Sequence, residues 1–261
     1  MPERVSPRRF RARVEYDGMD FAGFQVNPGK RTVQGVLEDA LARLGNGAGE
    51  RVDGAGRTDA GVHAQGQVIA FSYAGRLSAT ELGRALDALL PADVAVHDLR
   101  QAPEGFNPRF AARYREYRYT VWNGPPSPLR ERTALGVRVP LDTAAMARAG
   151  SVFIGRHDFR AFGATDRSPV RTVMAVRVRR QGRLVTIDVR ADSFLRGQVR
   201  RMVAVLLEVG LGKMDETAVW AAIAGPGPAL DGAAAPAKGL CLRRVALGRA
   251  PGEQNGEHEE R

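Results

Sequence analysis

The chain has 261 residues, of which 44% are apolar and 26% charged, a balance typical of a soluble globular protein. This length is sufficient for one large domain or two moderate ones with substantial cores. The net charge is +10, and because the last eleven residues carry four Glu and one Arg, residues 1–250 hold +13. A basic surface of this size favours an acidic partner such as nucleic acid, although a bias toward Arg can also come from a GC-rich genome.

The chain shows no signal for secretion, a disulfide or the membrane. Cys241 is the only cysteine, which excludes an intrachain disulfide and a thiolate metal cluster. The charged N-terminus lacks the apolar segment of a signal peptide, and no apolar run approaches the ~18 residues that span a membrane. We therefore expect a cytoplasmic protein that does not associate with membranes.

The first part of the chain, residues 1–105, alternates strand and helix patterns. Thr32 is suited to cap the first helix and Gly45 to end it. In chain order the predicted elements are a strand at residues 10–16, a helix at 33–44, a strand at 68–71, a helix starting at the capping box Ser78–Glu81, and a strand at 94–96.

The second part, residues 106–250, follows a crossing at residues 101–107 and again mixes both patterns. Its predicted elements are a strand at 113–122, a hairpin of residues 173–179 and 184–191, a helix from about Phe194, a short helix capped by Asp215, a loop at 225–238, and a closing strand at 240–245. Together the patterns predict an α+β fold, with two related α/β halves around a mostly antiparallel sheet. The acidic tail at residues 251–261 is predicted to be disordered.

Glycines surround one acidic residue in an unusual segment. Gly54 and Gly56 precede Arg57, and Gly61 follows Asp59 by two residues, so the backbone can turn sharply on both sides. Such a loop can present one carboxylate and one guanidinium into a cleft. On composition alone an ordinary surface turn remains the alternative. The glycines match neither G-x-x-x-x-G-K-[ST] nor G-x-G-x-x-G, which argues against a phosphate-binding loop.

One strand interleaves aromatic and basic residues. Tyr114, Tyr117 and Tyr119 alternate with Arg113, Arg115 and Arg118. Aromatic faces stack on bases and guanidinium groups hold phosphates, so the pattern suits RNA. Alternatively Tyr117 and Tyr119 belong to the core of a half-buried strand whose arginines lie on the solvated face, and for Tyr119 we prefer that interpretation.

Other chemistry-bearing residues give weaker signals. Arg200 begins a largely apolar helix, where a basic residue tends to find a carboxylate or a phosphate, whereas Arg201 is expected on a solvated face. The four histidines lack metal-ligand spacing, so we expect no metal site and interpret His63 and His157 as hydrogen-bonded loop residues. No G-x-S-x-G motif is present, and Cys241 stands between apolar strand residues, so the sequence supports neither a serine nor a cysteine nucleophile.

The ordered motifs resemble those of the tRNA pseudouridine synthase A (TruA) family over nearly the whole chain. The most specific is the run from Arg57 to His63, Arg-Thr-Asp-Ala-Gly-Val-His. The chain departs from the family pattern at Phe24, where Trp is usual, and at Gln198, where Met is common. The other matching stretches are residues 15–18, 23–25, 32–35, 106–112, 117–119, 155–159, 194–195, 199–200 and 239–242.

The resemblance implies a pseudouridine synthase fold with a central RNA-binding cleft, and a role for five residues. Asp59 matches the catalytic aspartate, Tyr117 the tyrosine that stacks on the target base, Arg200 the residue that pairs with the aspartate, Leu240 an apolar residue of the uracil pocket, and Arg57 an arginine implicated in base flipping. The family isomerises uridines 38, 39 and 40 in the anticodon stem-loop of tRNAs. It needs no cofactor or metal and acts as a homodimer that binds the anticodon arm.

The residues fit the chemistry that the resemblance implies. Aspartate is ionised at neutral pH, so Asp59 could attack C1′ of the uridine or remove the C2′ proton. A hydrolase acting on glycosidic bonds usually needs two carboxylates, whereas this motif supplies one among arginines. A non-catalytic RNA-binding protein with the same fold is the alternative from another class, and a synthase acting on another RNA is a third.

Overall fold

The computed structural model describes residues 6–45, 51–164, 168–224 and 234–248; the predicted tail at 251–261 lies outside them. The strands are β1 (Arg8–Tyr16), β2 (Asp53–Gly54), β3 (His63–Tyr73), β4 (Val94–Gln101), β5 (Ala112–Asn123), β6 (Leu135–Val137), β7 (Gly155–Asp158), β8 (Val170–Gln181), β9 (Leu184–Ala191) and β10 (Leu240–Leu247). The helices are α1 (Val33–Leu44), α2 (Ala79–Leu89), α3 (Pro108–Ala111), α4 (Thr143–Ser151), α5 (Gln198–Gly210) and α6 (Glu216–Ala224).

All ten strands belong to one mixed sheet that is mostly antiparallel, in the order β4-β1-β3-β10-β5-β9-β8-β7, with β2 beside β3 and β6 beside β5. The last strand, β10, lies between β3 and β5, parallel to the first and antiparallel to the second. Strand β10 thereby joins β3, from the first part of the chain, to β5, from the second part, in one continuous sheet. The predicted α+β class with a mostly antiparallel sheet is confirmed, and the division near residue 105 stays a prediction.

The residues that the sequence predicts as helix caps make the expected hydrogen bonds. The Thr32 hydroxyl accepts the Gly35 amide at 3.2 Å, and the Gly45 amide donates to the carbonyl of Leu41 at 3.0 Å, so α1 is capped at both ends. Ser78 and Glu81 form the reciprocal capping box of α2. A cap of this kind contributes about 1 kcal/mol to stability.

The main core lies on the helix-covered face of the sheet, and a small second cluster of Ala70, Ala102 and Phe106 is separate from it. Along β5 the buried residues are Tyr117, Tyr119 and Val121, while Arg118 and Thr120 point to the other face. Tyr119 has no exposed surface, and its hydroxyl donates to the carbonyl of Pro236 at 2.9 Å. The interpretation of Tyr119 as a core residue is therefore confirmed.

Several predicted boundaries are wrong, for physical reasons. The strand predicted at 68–71 extends over the whole of β3, because pairing with neighbouring strands outweighs the weak strand propensity of its Gly and Gln residues. His63 therefore lies in a strand rather than in a loop, and His157 also lies in a strand, β7, which pairs with β8. The helix predicted from Phe194 begins at Gln198, because Gly197 has a left-handed backbone (φ 74°) that interrupts the chain before it.

A small ionic network holds the segment before β6 against the end of β1. The Asp17 carboxylate accepts hydrogen bonds from Arg132 Nε at 2.8 Å and from the Met19 amide at 3.1 Å, and it lies 3.2 Å from His63 Nδ1. Partial burial acts to raise the pKa of Asp17, but these hydrogen bonds and the neighbouring charges outweigh it and lower that pKa below its ordinary value.

We expect Tyr119→Phe to lower the free energy of unfolding by about 1 kcal/mol, because it leaves the Pro236 carbonyl without its donor. Tyr73→Phe is the matched control, since Tyr73 is also buried but its hydroxyl bond to Leu44 is long, at 3.4 Å. Urea unfolding would measure both variants, and an equal loss in the two would contradict the assigned bond.

We expect Asp17→Asn to destabilise the protein by about 1 kcal/mol at pH 7, a modest value because the pair is partly exposed. The folded-state pKa of Asp17 is depressed, so its stabilising contribution is present above the unfolded pKa of ~3.9 and is lost as the pH falls through the folded pKa. The stability difference between wild type and variant, measured by urea unfolding, should therefore shrink below about pH 4. A difference independent of pH would argue against the depressed pKa.

Candidate active site

The turn between β2 and β3 carries Asp59 and is fixed to the core beside it. The Thr58 hydroxyl is buried and lies 2.7 Å from the hydroxyl of Tyr16. Burial raises the pKa of Tyr16, so that hydroxyl stays protonated and can share a hydrogen bond. The Thr58 carbonyl also accepts the amide of Phe24 at 3.1 Å. Asp59 thus projects from a turn whose preceding residue is held on two sides.

The glycine pattern that singled out this turn has a geometric basis. Gly61 has a left-handed backbone (φ 77°), and a Cβ placed on it would lie 3.1 Å from Ala237. Gly23 is also left-handed (φ 102°) and approaches the Thr58 carbonyl closely enough that a Cβ would lie 3.0 Å from it. The predicted sharp turn is confirmed, and its close approach to two other segments distinguishes it from a free surface turn.

Arg200, in the first turn of α5, lies beside the Asp59 carboxylate. Its Nη1 is 3.5 Å from Asp59 Oδ2, and the two side chains are 23% and 31% exposed. Arg200 Nε donates to the carbonyl of Ala235 at 2.7 Å, and the Ala235 amide donates back to the Arg200 carbonyl at 3.1 Å. This pair of bonds orients the guanidinium toward Asp59. The pair is accessible to a ligand because neither side chain is fully buried.

Tyr117 lies on the same side of the sheet as this pair. Its ring is 8% exposed and meets the ring of Phe194 edge-on, with centroids 5.4 Å apart at 84°. Burial raises the pKa of Tyr117; the charge of Arg115 opposes this rise and that of Asp59 adds to it. The phenol is therefore neutral at physiological pH, and electrostatic coupling to Asp59 indicates that the two groups are near each other.

The sequence pattern grouped Arg115 with arginines that could hold RNA phosphates, whereas in the structure Arg115 joins three segments around the site. Its Nε and Nη2 donate to the Ala55 carbonyl at 3.2 and 2.6 Å, Nη2 also donates to Arg109 O at 3.1 Å, and Nη1 donates to Asp192 O at 2.7 Å. Four of its five N–H groups are thereby used. Its partners are main-chain carbonyls, so no pairing of side-chain types in the sequence could have indicated it.

Leu240 and Arg57, the other two residues that the resemblance assigns to the site, differ in burial. Leu240, the first residue of β10, is 5% exposed and opposite Tyr119 in the ladder. It follows directly on the 3₁₀ turn Ala237–Gly239, whose Ala237 is close to Gly61 of the Asp59 turn. Arg57, two residues before Asp59, is exposed to solvent.

The arginine and tyrosine residues of β5 are divided between the two faces of the sheet. Arg118 faces away from Asp59 and forms a two-point ion pair with Asp188, at 2.7 and 3.0 Å. A groove of about 1050 Å³ lies on that face and includes Arg118 and Cys241 in its walls. Burial raises the pKa of Cys241 to about 11, so its thiol is protonated at neutral pH. We place the candidate site at Asp59 rather than in this groove, because Asp59 lies on the glycine-bounded turn that is fixed to the core and faces the guanidinium of Arg200.

The described part of the chain contains neither a metal-binding cluster nor a membrane-spanning helix. Among its residues, no three His, Cys, Asp or Glu side chains group in a way that could hold a metal ion. None of its helices is long and apolar enough to cross a membrane.

Comparison with known proteins gives a consistent result. Residues 12–111 and 149–246 match the model of a family described as tRNA pseudouridine synthase. The chain is 42% identical over 236 residues to tRNA pseudouridine synthase A of Geobacter sulfurreducens, covering 89% of this chain and 96% of the relative. The protein of the same name in Moorella thermoacetica is 42% identical over 241 residues, with the same two coverages. That of Halalkalibacterium halodurans is 37% identical over 252 residues, covering 95% and 96%. With this extent of similarity, the chain belongs to the tRNA pseudouridine synthase family.

Proposed function

We propose that this protein is a tRNA pseudouridine synthase that isomerises uridine to pseudouridine at positions 38, 39 and 40 in the anticodon stem-loop, with Asp59 as its catalytic carboxylate. The observation that carries the proposal is the Asp59 carboxylate on a rigid turn, 3.5 Å from the guanidinium of Arg200. A protein that only bound RNA would gain nothing from a carboxylate near phosphates, because like charges repel.

The reaction breaks the C1′–N1 bond, rotates the detached uracil and joins C5 to C1′; C5 loses its proton and N1 gains one, so the composition is unchanged. Asp59 either attacks C1′ to form a covalent intermediate or removes the C2′ proton to form a glycal. Both routes need one ionised carboxylate near the ribose, and aspartate is ionised at neutral pH. The isomerisation neither oxidises nor hydrolyses its substrate, so we propose that it proceeds without metal or cofactor.

The other four residues support this carboxylate in the proposed mechanism. Arg200 orients Asp59 and balances its charge. Tyr117 contacts the target base, its ring being held in place by Phe194. Leu240 contributes to the apolar wall of the uracil pocket. Arg57 is exposed and free to enter the anticodon arm, where it promotes flipping of the target nucleotide, a step that costs a few kcal/mol of stacking.

We further propose that the enzyme acts in the cytoplasm as a homodimer that binds the anticodon arm of one tRNA. A net charge of +10 supports a polyanionic substrate, since phosphate neutralisation supplies much of the affinity for nucleic acid. In this arrangement the basic protein surface attracts the tRNA and the Asp59 site selects the uridine.

We expect Asp59→Asn to reduce turnover by about 10⁴-fold or more, as is found when a group acting on the reacting atoms is removed. The assay measures tritium released from tRNA labelled at C5 of uridine, because that hydrogen is lost when C5 bonds to C1′. The variant should bind the tRNA at least as tightly as wild type, since it removes a negative charge near phosphates.

Two outcomes of this assay would count against the proposal. If neither protein releases tritium from any of several tRNAs and other RNAs, although both bind them, the chain is an RNA-binding protein without synthase activity. If both release tritium at equal rates, the chemistry does not depend on Asp59.

We expect Arg115→Lys to lower kcat by about 10- to 100-fold while the Kd for tRNA changes by less than about threefold. One ammonium group cannot reach the three carbonyls that the guanidinium joins, so the Asp59 turn shifts, and small misplacements of catalytic groups are costly. Single-turnover rates and tRNA binding, measured separately, distinguish this effect from weaker binding.

Arg118→Lys is the matched control for this experiment. Arg118 lies on the same strand, three residues away and on the opposite face, and its contacts are to Asp188 rather than to the turn. The control should retain wild-type kcat. Equal losses in both variants would indicate a general effect of altering β5 and would remove the specific role of Arg115.

A further inference from the structure

The segment before β5 is built as a rigid support. Phe106 is 8% exposed and packs with Ala70 and Ala102 in a small core of its own, and its carbonyl accepts Arg9 Nε at 3.0 Å. The next residue, Asn107, caps α3 by accepting the Arg109 amide at 2.9 Å, and a proline occupies the first helical position. The position of α3 is therefore fixed by packing on one side and by its cap on the other.

This rigid segment exposes one large aromatic side chain. Phe110, the third residue of α3, is 83% exposed, whereas Phe106, four positions earlier, is buried. The side chains of Arg109 and Arg113 are exposed on either side of it in the sequence. An exposed phenylalanine beside two exposed arginines has the composition of a surface that binds single-stranded nucleic acid, where aromatic faces stack on bases and guanidinium groups hold phosphates.

The helix that carries Phe110 is attached to the catalytic turn. Arg115 Nη2 donates both to the carbonyl of Arg109 in α3 and to that of Ala55, at 3.1 and 2.6 Å. Because one nitrogen reaches both carbonyls, α3 and the start of the Asp59 turn are neighbours. A substrate RNA placed at Asp59 therefore has its flanking nucleotides within reach of α3.

We propose that Phe110 forms a stacking site for the base of an unpaired nucleotide that flanks the target uridine, with Arg109 and Arg113 binding the adjacent phosphates. This proposal rests on the proposed function, because it places the RNA by the position of Asp59. Every base has a stacking face, so the site tolerates different flanking sequences. It strengthens binding at the catalytic turn without reading base identity.

The test compares Phe110→Ala, Phe110→Leu and Phe110→Trp in the full chain, using an unmodified tRNA transcript with uridine at position 39. Loss of one base–aromatic stack should weaken tRNA binding by about tenfold in the Ala variant. Leu retains apolar area but cannot stack, so it should also weaken binding, whereas Trp should bind at least as tightly as wild type. Melting curves should be unchanged, because the side chain is exposed.

Two further variants separate stacking from other effects. Trp220→Ala removes a half-exposed aromatic from α6 and should leave tRNA affinity unchanged. Arg113→Gln should lower the slope of log Kd against log salt by about 0.7, the value for one single-strand phosphate contact, whereas Phe110→Ala should leave that slope unchanged.

Three outcomes would overturn the stacking site. One is tRNA affinity within twofold of wild type for Phe110→Ala; a second is full affinity for Phe110→Leu. The third is a change in oligomeric state on sedimentation without a change in RNA affinity, which would make Phe110 a protein contact. Tritium release by wild type, measured in the same samples, distinguishes these failures from failure of the proposed function: active wild type with normal binding by Phe110→Ala removes only the stacking site.

Discussion

The hydrogen bonds donated by the partly buried guanidinium of Arg115 are the interactions on which the arrangement of the site most depends. This guanidinium donates to carbonyls at Ala55, Arg109 and Asp192, which belong to three segments far apart in sequence. Burial lowers the pKa of Arg115, so desolvation has a cost, and the neighbouring charges offset it only in part. Four hydrogen bonds to main-chain carbonyls replace the water that Arg115 loses on burial. Two of them bind the Ala55 carbonyl and so fix the position of the start of the Asp59 turn.

Strand β5 extends this constraint to the whole sheet. Its alternation places Arg115 and Tyr117 on the face with Asp59 and places Arg118 on the opposite face. Because β10 pairs with both β3 and β5, the strand after the Asp59 turn and the strand carrying Tyr117 cannot move independently. The geometry of the site is therefore a property of the sheet register, and a shift of one residue would exchange the two faces.

Patterns that act locally were predictable from the sequence. The caps of α1 and α2, the hairpin of β8 and β9, and the glycines around Asp59 all depend on residues within a few positions of one another. The extent of β3, the start of α5 and the contacts of Arg115 depend on distant partners, and composition gives no signal for them. The Asp59–Arg200 contact was inferred from the family resemblance, since 141 positions separate the two residues and no pattern links them.

The partial exposure of the Asp59–Arg200 pair is compatible with the role that we propose for it. A fully buried pair would be costly to separate, because each charge would lose its partner in a medium of low dielectric constant. In the proposed mechanism, a contact of 3.5 Å at 23–31% exposure allows Asp59 to turn toward the ribose while Arg200 stays bound to the Ala235 carbonyl. In that mechanism the bond to Ala235 keeps the positive charge of Arg200 in place while charge develops on the reacting atoms. Such fixed charges need little reorganisation during the reaction, which is the main physical advantage of a preformed site.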